Sequence, residues 1–365
     1  MKIIINQKNF KKSLSLVEKV VSKSSTLPIL NNILLRSENG RLKLSATNLE
    51  LGINYVLGAK IDEVGDIAVP GRILADFING ITDERISLAT KSNVLLINSA
   101  NFKTQILGSN SKDFPIIPKI KGSSLIIVNT KKLRTNLLSV ADAMSLSEAR
   151  PELAGVFVKI EREKTIFAAT DSFRLSEKIE KNKSTQEASV ILPRNTVMEL
   201  IRVCGELEGD VNVNLSDNQI SFSNEDFEFI SRVIDGSYPD YKNIIPDKFS
   251  SRVLINKTEL ENGVRLAGLF SSNISDVKLQ CQDSSMILIA KNPDKGEVET
   301  RVDALLKNEP FEVVVNYHYL LDGLKVLSEE KVIIEYNGSG SPLVLKPSDV
   351  GLGETYLIMP LRNQG

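Results

Sequence analysis

The feature that most constrains this chain is a segment that occurs three times at a regular interval of about 123 residues. In each copy a β-branched run leads into apolar residues at helical spacing, which predicts a strand, a turn and a helix. The copies span Ile67–Ile81, Ser189–Cys204 and Phe311–Leu327. A chain that repeats such a unit is expected to fold as repeated domains.

Two further markers recur in the same order at nearly the same interval. One opens with asparagine and continues with a helical apolar stripe, at Asn6, Asn129 and Asn256. The other comprises Leu44–Leu57, Phe167–Glu180 and, in a more divergent form, Leu288–Val302. Three markers in one order at one period indicate three homologous domains, each with two helices and much strand.

The segments between the helices are short, alternate in polarity and are separated by turn residues, which predicts antiparallel sheets with one buried face. The expected fold class is therefore α+β, with helices packed on sheets. Proline-rich segments at Asp113–Ser124 and Tyr238–Ser251 close the first two repeats. They divide the 365 residues into predicted domains 1–120, 121–247 and 248–365.

Composition excludes several classes of protein. Hydrophobic residues make up 42% and charged residues 25%, so each domain can bury a core. No apolar run approaches the roughly 18 residues of a membrane span. The N-terminus also lacks the apolar segment of a signal peptide, so we expect a cytoplasmic protein with no membrane contact.

The residues needed for common catalytic centres are scarce. Cys204 and Cys281 lie in different repeats without metal-ligand spacing, and His318 is the single histidine. We expect two buried thiols, no metal and no cofactor. Asp171 near Arg174 could form an acid site, but a turn or helix-cap role is favoured. With no glycine-rich phosphate loop either, we expect a protein that is not an enzyme.

The distribution of charge says more than the net charge of -1. A first helix predicted at about Asn9 to Val21 gathers lysines on the face opposite its apolar stripe. A solvated surface explains one such helix, but every predicted helix carries a cation on its polar face. These cations include Lys12, Lys19, Arg72, Lys131, Arg134, Arg194, Arg202, Lys257, Arg265 and Lys325. Acidic residues share the same faces, so the stripes are impure.

Four segments together resemble the bacterial sliding clamp family, the beta subunit of the replicative DNA polymerase III. They are Thr26–Leu35, Ala168–Leu175, Asp235–Pro246 and Tyr356–Arg362, in the order and at the positions typical of that family. The resemblance covers essentially the whole chain. It implies three DNA-clamp domains per chain and a head-to-tail homodimer that closes into a ring.

The resemblance implies a processivity factor that encircles duplex DNA without sequence specificity. Twelve helices packed about 10 Å apart would line an opening of about 28 Å, which admits a B-form duplex. The cations on the helices, together with Arg150 in the loop before Leu153, would then contact phosphates. Implied partners are the replicative polymerase, the clamp loader and other clamp-binding proteins.

The resemblance also implies two protein-binding sites. The dimer interface would use Phe102 and Thr104 in one protomer and Leu269 and Phe270 in the other. A hydrophobic pocket for partner peptides would use Leu153, Thr170, Arg174, Leu175, Pro239, Ile244, Leu357, Met359, Pro360, Leu361 and Arg362. Without the resemblance, the same residues would be assigned to the core and to the C-terminal strand.

Four residues at three places depart from the family pattern. Ser172-Phe173 stands where the family commonly has Gly-His, Asn243 replaces a frequent arginine, and Ser24 replaces a frequent DNA-contacting arginine. These departures leave the peptide preference and the strength of DNA contact open. A repeat scaffold that binds only proteins is the alternative function, and neutralising the helix cations would distinguish the two.

Overall fold

The computed structural model describes residues 1–21, 27–120, 124–147 and 149–361. Within these ranges the chain forms six α-helices and 25 β-strands. The first repeat contains β1 (Lys2–Asn6), α1 (Gln7–Glu18), β2 (Asn32–Glu38), β3 (Arg41–Thr47), β4 (Leu51–Gly58), β5 (Lys60–Glu63), β6 (Asp66–Pro70), α2 (Gly71–Gly80), β7 (Arg85–Lys91), β8 (Val94–Asn98) and β9 (Lys103–Leu107).

The second and third repeats follow the same order without a counterpart of β5. The second contains β10 (Ile126–Asn129), α3 (Thr130–Ala141), β11 (Gly155–Ile160), β12 (Lys164–Thr170), β13 (Arg174–Lys181), β14 (Ala188–Pro193), α4 (Arg194–Glu206), β15 (Asp210–Ser216), β16 (Gln219–Ser223) and β17 (Phe227–Arg232). The third contains β18 (Ser251–Asn256), α5 (Lys257–Gly268), β19 (Asp276–Gln282), β20 (Ser285–Asn292), β21 (Gly296–Asn308), β22 (Phe311–Asn316), α6 (Tyr317–Val326), β23 (Lys331–Tyr336), β24 (Leu343–Pro347) and β25 (Glu354–Ile358). Apart from β5, each repeat runs strand, helix and three strands, twice, and the predicted two helices per repeat are confirmed.

Asparagine side chains start the helices that follow β1, β18 and β22. The Asn6 side chain accepts a hydrogen bond from the Asn9 N–H at 3.2 Å, and Asn256 accepts one from Glu259 at 3.1 Å. Asn316 accepts one from His318 at 2.9 Å. Such caps satisfy N–H groups that have no partner within the helix. Because Asn6 is the cap, α1 begins and ends earlier than the predicted Asn9 to Val21.

The first of two compact units comprises residues 1–134 and 198–233. It contains a five-stranded sheet, ordered β5-β1-β7-β8-β9, and an eight-stranded sheet, ordered β10-β15-β16-β17-β4-β3-β2-β6. Antiparallel pairing of β17 with β4 joins strands of the first and second repeats. Helix α1 buries Phe10, Leu14 and Val17 against this framework and packs beside α2.

The second unit comprises residues 135–197 and 234–365. Its twelve-stranded sheet is ordered β14-β11-β12-β13-β25-β24-β23-β18-β21-β20-β19-β22. Strands β13 and β25 pair across the second and third repeats, with Arg174 opposite Ile358. Helices α5 and α6 pack together, and Gly323 of α6 lets the helix lie directly on the ring of Tyr356.

The observed architecture is the predicted α+β fold, with helices packed on antiparallel sheets. The described strand pairs are antiparallel, and the apolar faces of the helices lie in the cores. None of the described helices is long and apolar enough to cross a membrane.

Candidate functional site

In the first unit, α1 and α2 carry exposed cations on the faces turned away from the core. Lys12 is exposed on α1 and Lys19 is exposed immediately after it, where Lys19 lies 3.5 Å from the carboxylate of Glu18. Arg72 is exposed on α2, where its guanidinium lies 3.8 Å from Asp76. Positive charge is therefore available on both helices, partly balanced by neighbouring carboxylates.

Helix α3 begins with two further predicted cations, Lys131 and Arg134, which are both exposed. Arg134 also lies close to α4, because its Nε is 3.3 Å from the position that a Cβ on Gly205 would take. The glycine thus permits the arginine side chain to cross the helix surface at this point.

The donors of Arg202 on α4 are occupied by main-chain and side-chain groups of the protein itself. Its Nη1 donates to the Ser15 carbonyl at 2.9 Å, and its Nη2 donates to the Leu16 carbonyl at 2.7 Å. Its Nε donates to Glu199 at 2.6 Å, and its Nη1 also donates to Glu206 at 3.3 Å. The two carbonyls belong to the last turn of α1, where they have no helical partner. Arg202 therefore caps α1, which the sequence pattern did not indicate.

The predicted cations of the second unit are mostly paired. Lys325 lies 2.9 Å from Asp142, and this hydrogen bond and charge raise the pKa of Lys325. Arg265 lies 2.5 Å from Glu261, one turn away on α5. The Nζ of Lys257 donates to the Leu327 carbonyl at 2.7 Å, so this lysine ties α5 to the end of α6.

Two more predicted cations of this unit lie outside the centres of the helices. Arg150 is exposed in the loop before β11, and its Nε lies 3.1 Å from Glu152. A main-chain hydrogen bond and Arg150 itself hold the pKa of the Glu152 carboxyl below its usual range. Arg194 is half-buried at the first turn of α4. Most of the predicted cations in this unit are therefore compensated by nearby carboxylates.

A separate apolar cluster of the second unit lies among β12, β13, β24, β25 and the segment after β17. Its fully packed members are Ala168, Leu175, Tyr241, Val344 and Leu357. Phe157, Tyr238, Ile245, Phe249 and Met359 border it and are partly exposed. This cluster contains or adjoins most of the residues predicted to line a peptide pocket.

The predicted pocket residues divide into a buried floor and an accessible rim. The floor consists of Leu153, Thr170, Leu175 and Leu357. The rim consists of Pro239, Ile244, Met359, Pro360 and Leu361. Arg362 lies outside the described residues. A ligand bound at these residues would therefore meet mainly the rim.

The turn between β12 and β13 forms one border of the cluster. The Asp171 carboxylate accepts hydrogen bonds from the N–H groups of Phe173 at 2.9 Å and Arg174 at 3.0 Å. Ser172 adopts the left-handed conformation, with φ 78°. The Phe173 carbonyl accepts a hydrogen bond from the Met359 N–H at 2.8 Å, and the Phe173 ring is exposed. The predicted turn role of Asp171 is confirmed.

Arg174 braces this border. Its Nε donates to Asp171 at 2.9 Å, its Nη1 pairs with Asp322, and its guanidinium carbon lies 4.5 Å from the centre of the Tyr319 ring. Burial alone would lower the pKa of Arg174, but Tyr356 and the two carboxylates raise it above its usual value. The side chain is only 13% exposed, so its bonds within the protein hold this border in place.

A cavity of about 500 Å³ opens beside the rim. The segment Met359–Leu361 forms one wall, and the Leu361 N–H donates to the Val314 carbonyl of β22 at 2.8 Å. The other lining residues are Glu312, Val313, Val314, Tyr336, Ser339 and Gly340. The sequence pattern does not mark these six residues as part of a site, because their contribution depends on how β22 and the β23–β24 turn approach the C-terminal segment. A cavity of this size suits a peptide side chain or a small ligand.

Apolar side chains are exposed at a strand edge in the first unit and at the end of a helix in the second. In the first unit, β9 is an edge strand, with Phe102 40% exposed just before it and Thr104 half-buried within it. In the second unit, Leu269 is 63% exposed at the end of α5, and Phe270 is half-buried. Leu107, Leu266 and Ile274 are further exposed apolar residues at these places. Exposed apolar residues beside a strand edge are typical of protein–protein contacts.

The described residues contain no group of three or more histidine, cysteine or acidic side chains arranged to hold a metal ion. Both cysteines are buried, and burial raises the pKa of the Cys204 thiol to about 12 and that of Cys281 to about 11. Neither thiol is therefore a reactive thiolate near neutral pH.

Each of the three repeats matches one domain of a single known family. Residues 1–118 match the N-terminal domain of the DNA polymerase III beta subunit, residues 127–240 its central domain, and residues 242–362 its C-terminal domain. The chain belongs to the DNA polymerase III beta subunit family.

Relatives of this beta-subunit chain agree over nearly the whole length. The Beta sliding clamp of Staphylococcus epidermidis is 27% identical over 375 aligned residues, covering 99% of each chain. The crystal structure of the beta subunit from Thermotoga maritima has a TM-score of 0.93 at 27% identity and covers 99% of each chain. A sliding clamp of Pseudomonas aeruginosa bound to griselimycin has a TM-score of 0.95 at 27% identity, again covering 99% of each chain.

Proposed function

We propose that this beta-subunit chain is a DNA sliding clamp, a processivity factor that encircles duplex DNA as a homodimeric ring. The observation that carries the proposal is the full-length match of three consecutive domains to one family. The chain is a non-catalytic subunit: it holds other proteins on DNA and converts no substrate. We also propose domain limits of 1–120, 121–247 and 248–365, and a cytoplasmic location.

The helices would face DNA through their cations. Lys12, Lys19, Arg72, Lys131 and Arg134 in the first unit, and Arg150, Arg194, Arg265 and Lys325 in the second, remain candidates for phosphate contact. Lys257 is half-buried and bonded to a carbonyl, and Arg202 caps α1, so both support helices rather than meeting phosphate.

Compensated charge suits a ring that must move along DNA. Ion pairs such as Arg72–Asp76 and Lys325–Asp142 reduce the net attraction of each helix for phosphate. Phosphate contacts carry no sequence information, and fewer net contacts make binding weaker and less dependent on salt. The ring would therefore stay near the duplex without being held at one place.

The ring would close where the edge at β9 of one protomer meets the end of α5 of its partner. Phe102 and Thr104 on one side, with Leu269 and Phe270 on the other, supply apolar contact beside a strand edge that can pair. An asymmetric contact of this kind closes into a two-membered ring when both copies present both edges.

Partner proteins, including the replicative polymerase and the clamp loader, would dock peptides at the apolar cluster. The rim of Pro239, Ile244, Met359, Pro360 and Leu361 would receive apolar side chains over the floor of Leu175 and Leu357. The adjoining cavity of about 500 Å³ extends the site along β22. Partly exposed aliphatic side chains and a flexible methionine suit several different peptides.

The test measures assembly and retention on DNA together. Sedimentation of the purified chain over a concentration series is expected to give twice the 40.3 kDa mass of one chain. After loading, the ring is expected to stay on nicked circular DNA and to leave linear DNA from its ends. A persistent monomer, or equal loss from both DNAs, would contradict the ring and favour a scaffold that binds only proteins.

A further inference from the structure

A buried carboxylate lies behind the peptide-binding rim without forming part of it. Glu177 of β13 is 5% exposed. It lies two residues after Leu175, so both side chains project from the same face of the strand. Leu175 is part of the apolar floor, whereas Glu177 continues that face away from the rim.

The partners of Glu177 come from the segment that supplies two of the five rim residues, Pro239 and Ile244. The Tyr241 hydroxyl donates to the Oε2 of Glu177 at 2.6 Å, and the Nζ of Lys242 pairs with the same oxygen. Burial, and then the adjacent carboxylate, raise the pKa of Tyr241 above its usual value, so the hydroxyl keeps its proton and remains a donor. One carboxylate thus fastens two consecutive residues of this segment.

The fastened residues lie between the rim residues Pro239 and Ile244. Tyr241 begins the short 3-10 turn Tyr241–Ile244, and its N–H donates to the Pro239 carbonyl at 2.8 Å. Its ring also packs edge-on against Tyr238, with centroids 6.2 Å apart. A movement of Tyr241 would therefore shift both rim residues relative to the sheet.

We infer that Glu177 is a positioning residue for the peptide-binding rim: its buried carboxylate holds Tyr241 and Lys242 and so sets the place of Pro239 and Ile244 over Leu175. This inference rests on the proposed peptide-binding function and assigns to it a residue that is buried beneath the rim segment. Binding sites commonly depend on such buried support, because a rim that moves presents its apolar groups in the wrong geometry.

The test compares variants by calorimetric titration with griselimycin, the ligand of the P. aeruginosa relative, and by thermal unfolding. Glu177→Ala leaves the Tyr241 hydroxyl without its acceptor and is expected to weaken binding about tenfold. Glu177→Gln keeps an oxygen acceptor and is expected to stay within about threefold of the wild-type affinity. Tyr241→Phe removes the same hydrogen bond without altering the carboxylate. It replaces Glu177→Ala in the titration if that variant does not fold.

Glu354 provides a matched control. It is a buried carboxylate in the same sheet, held by the Nζ of Lys178 at 3.0 Å and the Ser328 hydroxyl at 2.8 Å, at the end of the β13–β25 pair remote from the rim. Glu354→Ala is expected to lower the melting temperature while leaving the griselimycin affinity unchanged.

Three outcomes would overturn the inference in distinguishable ways. Unchanged affinity in Glu177→Ala would show that the carboxylate does not position the rim. If Glu354→Ala weakened griselimycin binding as much as Glu177→Ala, the effect would be explained by general destabilisation of the fold. Failure of the wild-type chain to bind griselimycin at all, despite forming a dimer, would remove the peptide site and the role of Glu177 with it.

Discussion

Replacing Arg202 with alanine is expected to destabilise the first unit without changing how DNA binding depends on salt. The substitution removes donors to the Ser15 and Leu16 carbonyls, which then have no partner at the end of α1. It also removes the ion pairs with Glu199 and Glu206, which form a polar network with the Ser15 hydroxyl.

The magnitude follows from the exposure of the guanidinium. Bonds from a charged donor are worth about 1.5–3 kcal/mol when buried, but this side chain is 25% exposed and its carboxylate pairs are partly screened. We therefore expect a loss of about 2 kcal/mol in the free energy of unfolding. For a unit of this size that loss corresponds to a melting temperature lower by about 4–8 °C.

The assay records thermal unfolding by circular dichroism and the binding of a fluorescent duplex across a salt series. Lys12→Ala is the matched control, because Lys12 is an exposed cation on α1, the helix that Arg202 caps. This variant is expected to keep the wild-type melting temperature. Its plot of log affinity against log salt concentration is expected to be less steep, by the equivalent of about one phosphate contact. If Arg202→Ala lowered the slope equally and left unfolding unchanged, Arg202 would be a phosphate contact and the capping account would be wrong.

Three further predictions concern other parts of the chain. Leu269→Asp places a charge in the proposed dimer contact and is expected to convert the sedimenting dimer to monomers; an intact dimer would place the interface elsewhere. Gly323→Ala puts a methyl group 2.5 Å from the Tyr356 ring and should cost about 1–3 kcal/mol of stability, whereas Gly80→Ala, with open space, should not. Because burial raises the pKa of Cys204 to about 12, this thiol should resist Ellman's reagent at pH 8 until the chain unfolds. Because the unfolded thiol ionises near pH 8.5, burial of Cys204 should favour the folded state fully below about pH 8.5 and progressively less as the pH rises above that value. Rapid labelling of the native protein would contradict the burial.

The sequence alone determined the domain number, the fold class and the order of elements. These properties follow from local periodicity: apolar residues at helical or alternating spacing specify an element whatever it packs against. Asn6 and Asn256 marked helix starts because a cap acts within one turn of its own chain. The same locality explains the error at the end of α1, where the apolar pattern continued beyond the last helical hydrogen bond.

Only the tertiary structure decided what the polar side chains of those elements meet. Periodicity placed Arg202 and Lys12 on polar faces alike, yet one caps a neighbouring helix and the other faces solvent. Arg174 matched a family motif, but its pairing with Asp322 arises from residues far apart in the chain. The sequence did not distinguish Glu177 from other strand residues, because its role depends on the Tyr241 hydroxyl that donates to it in the folded chain. A side chain's face depends on its own segment, whereas its partners depend on how distant segments are brought together.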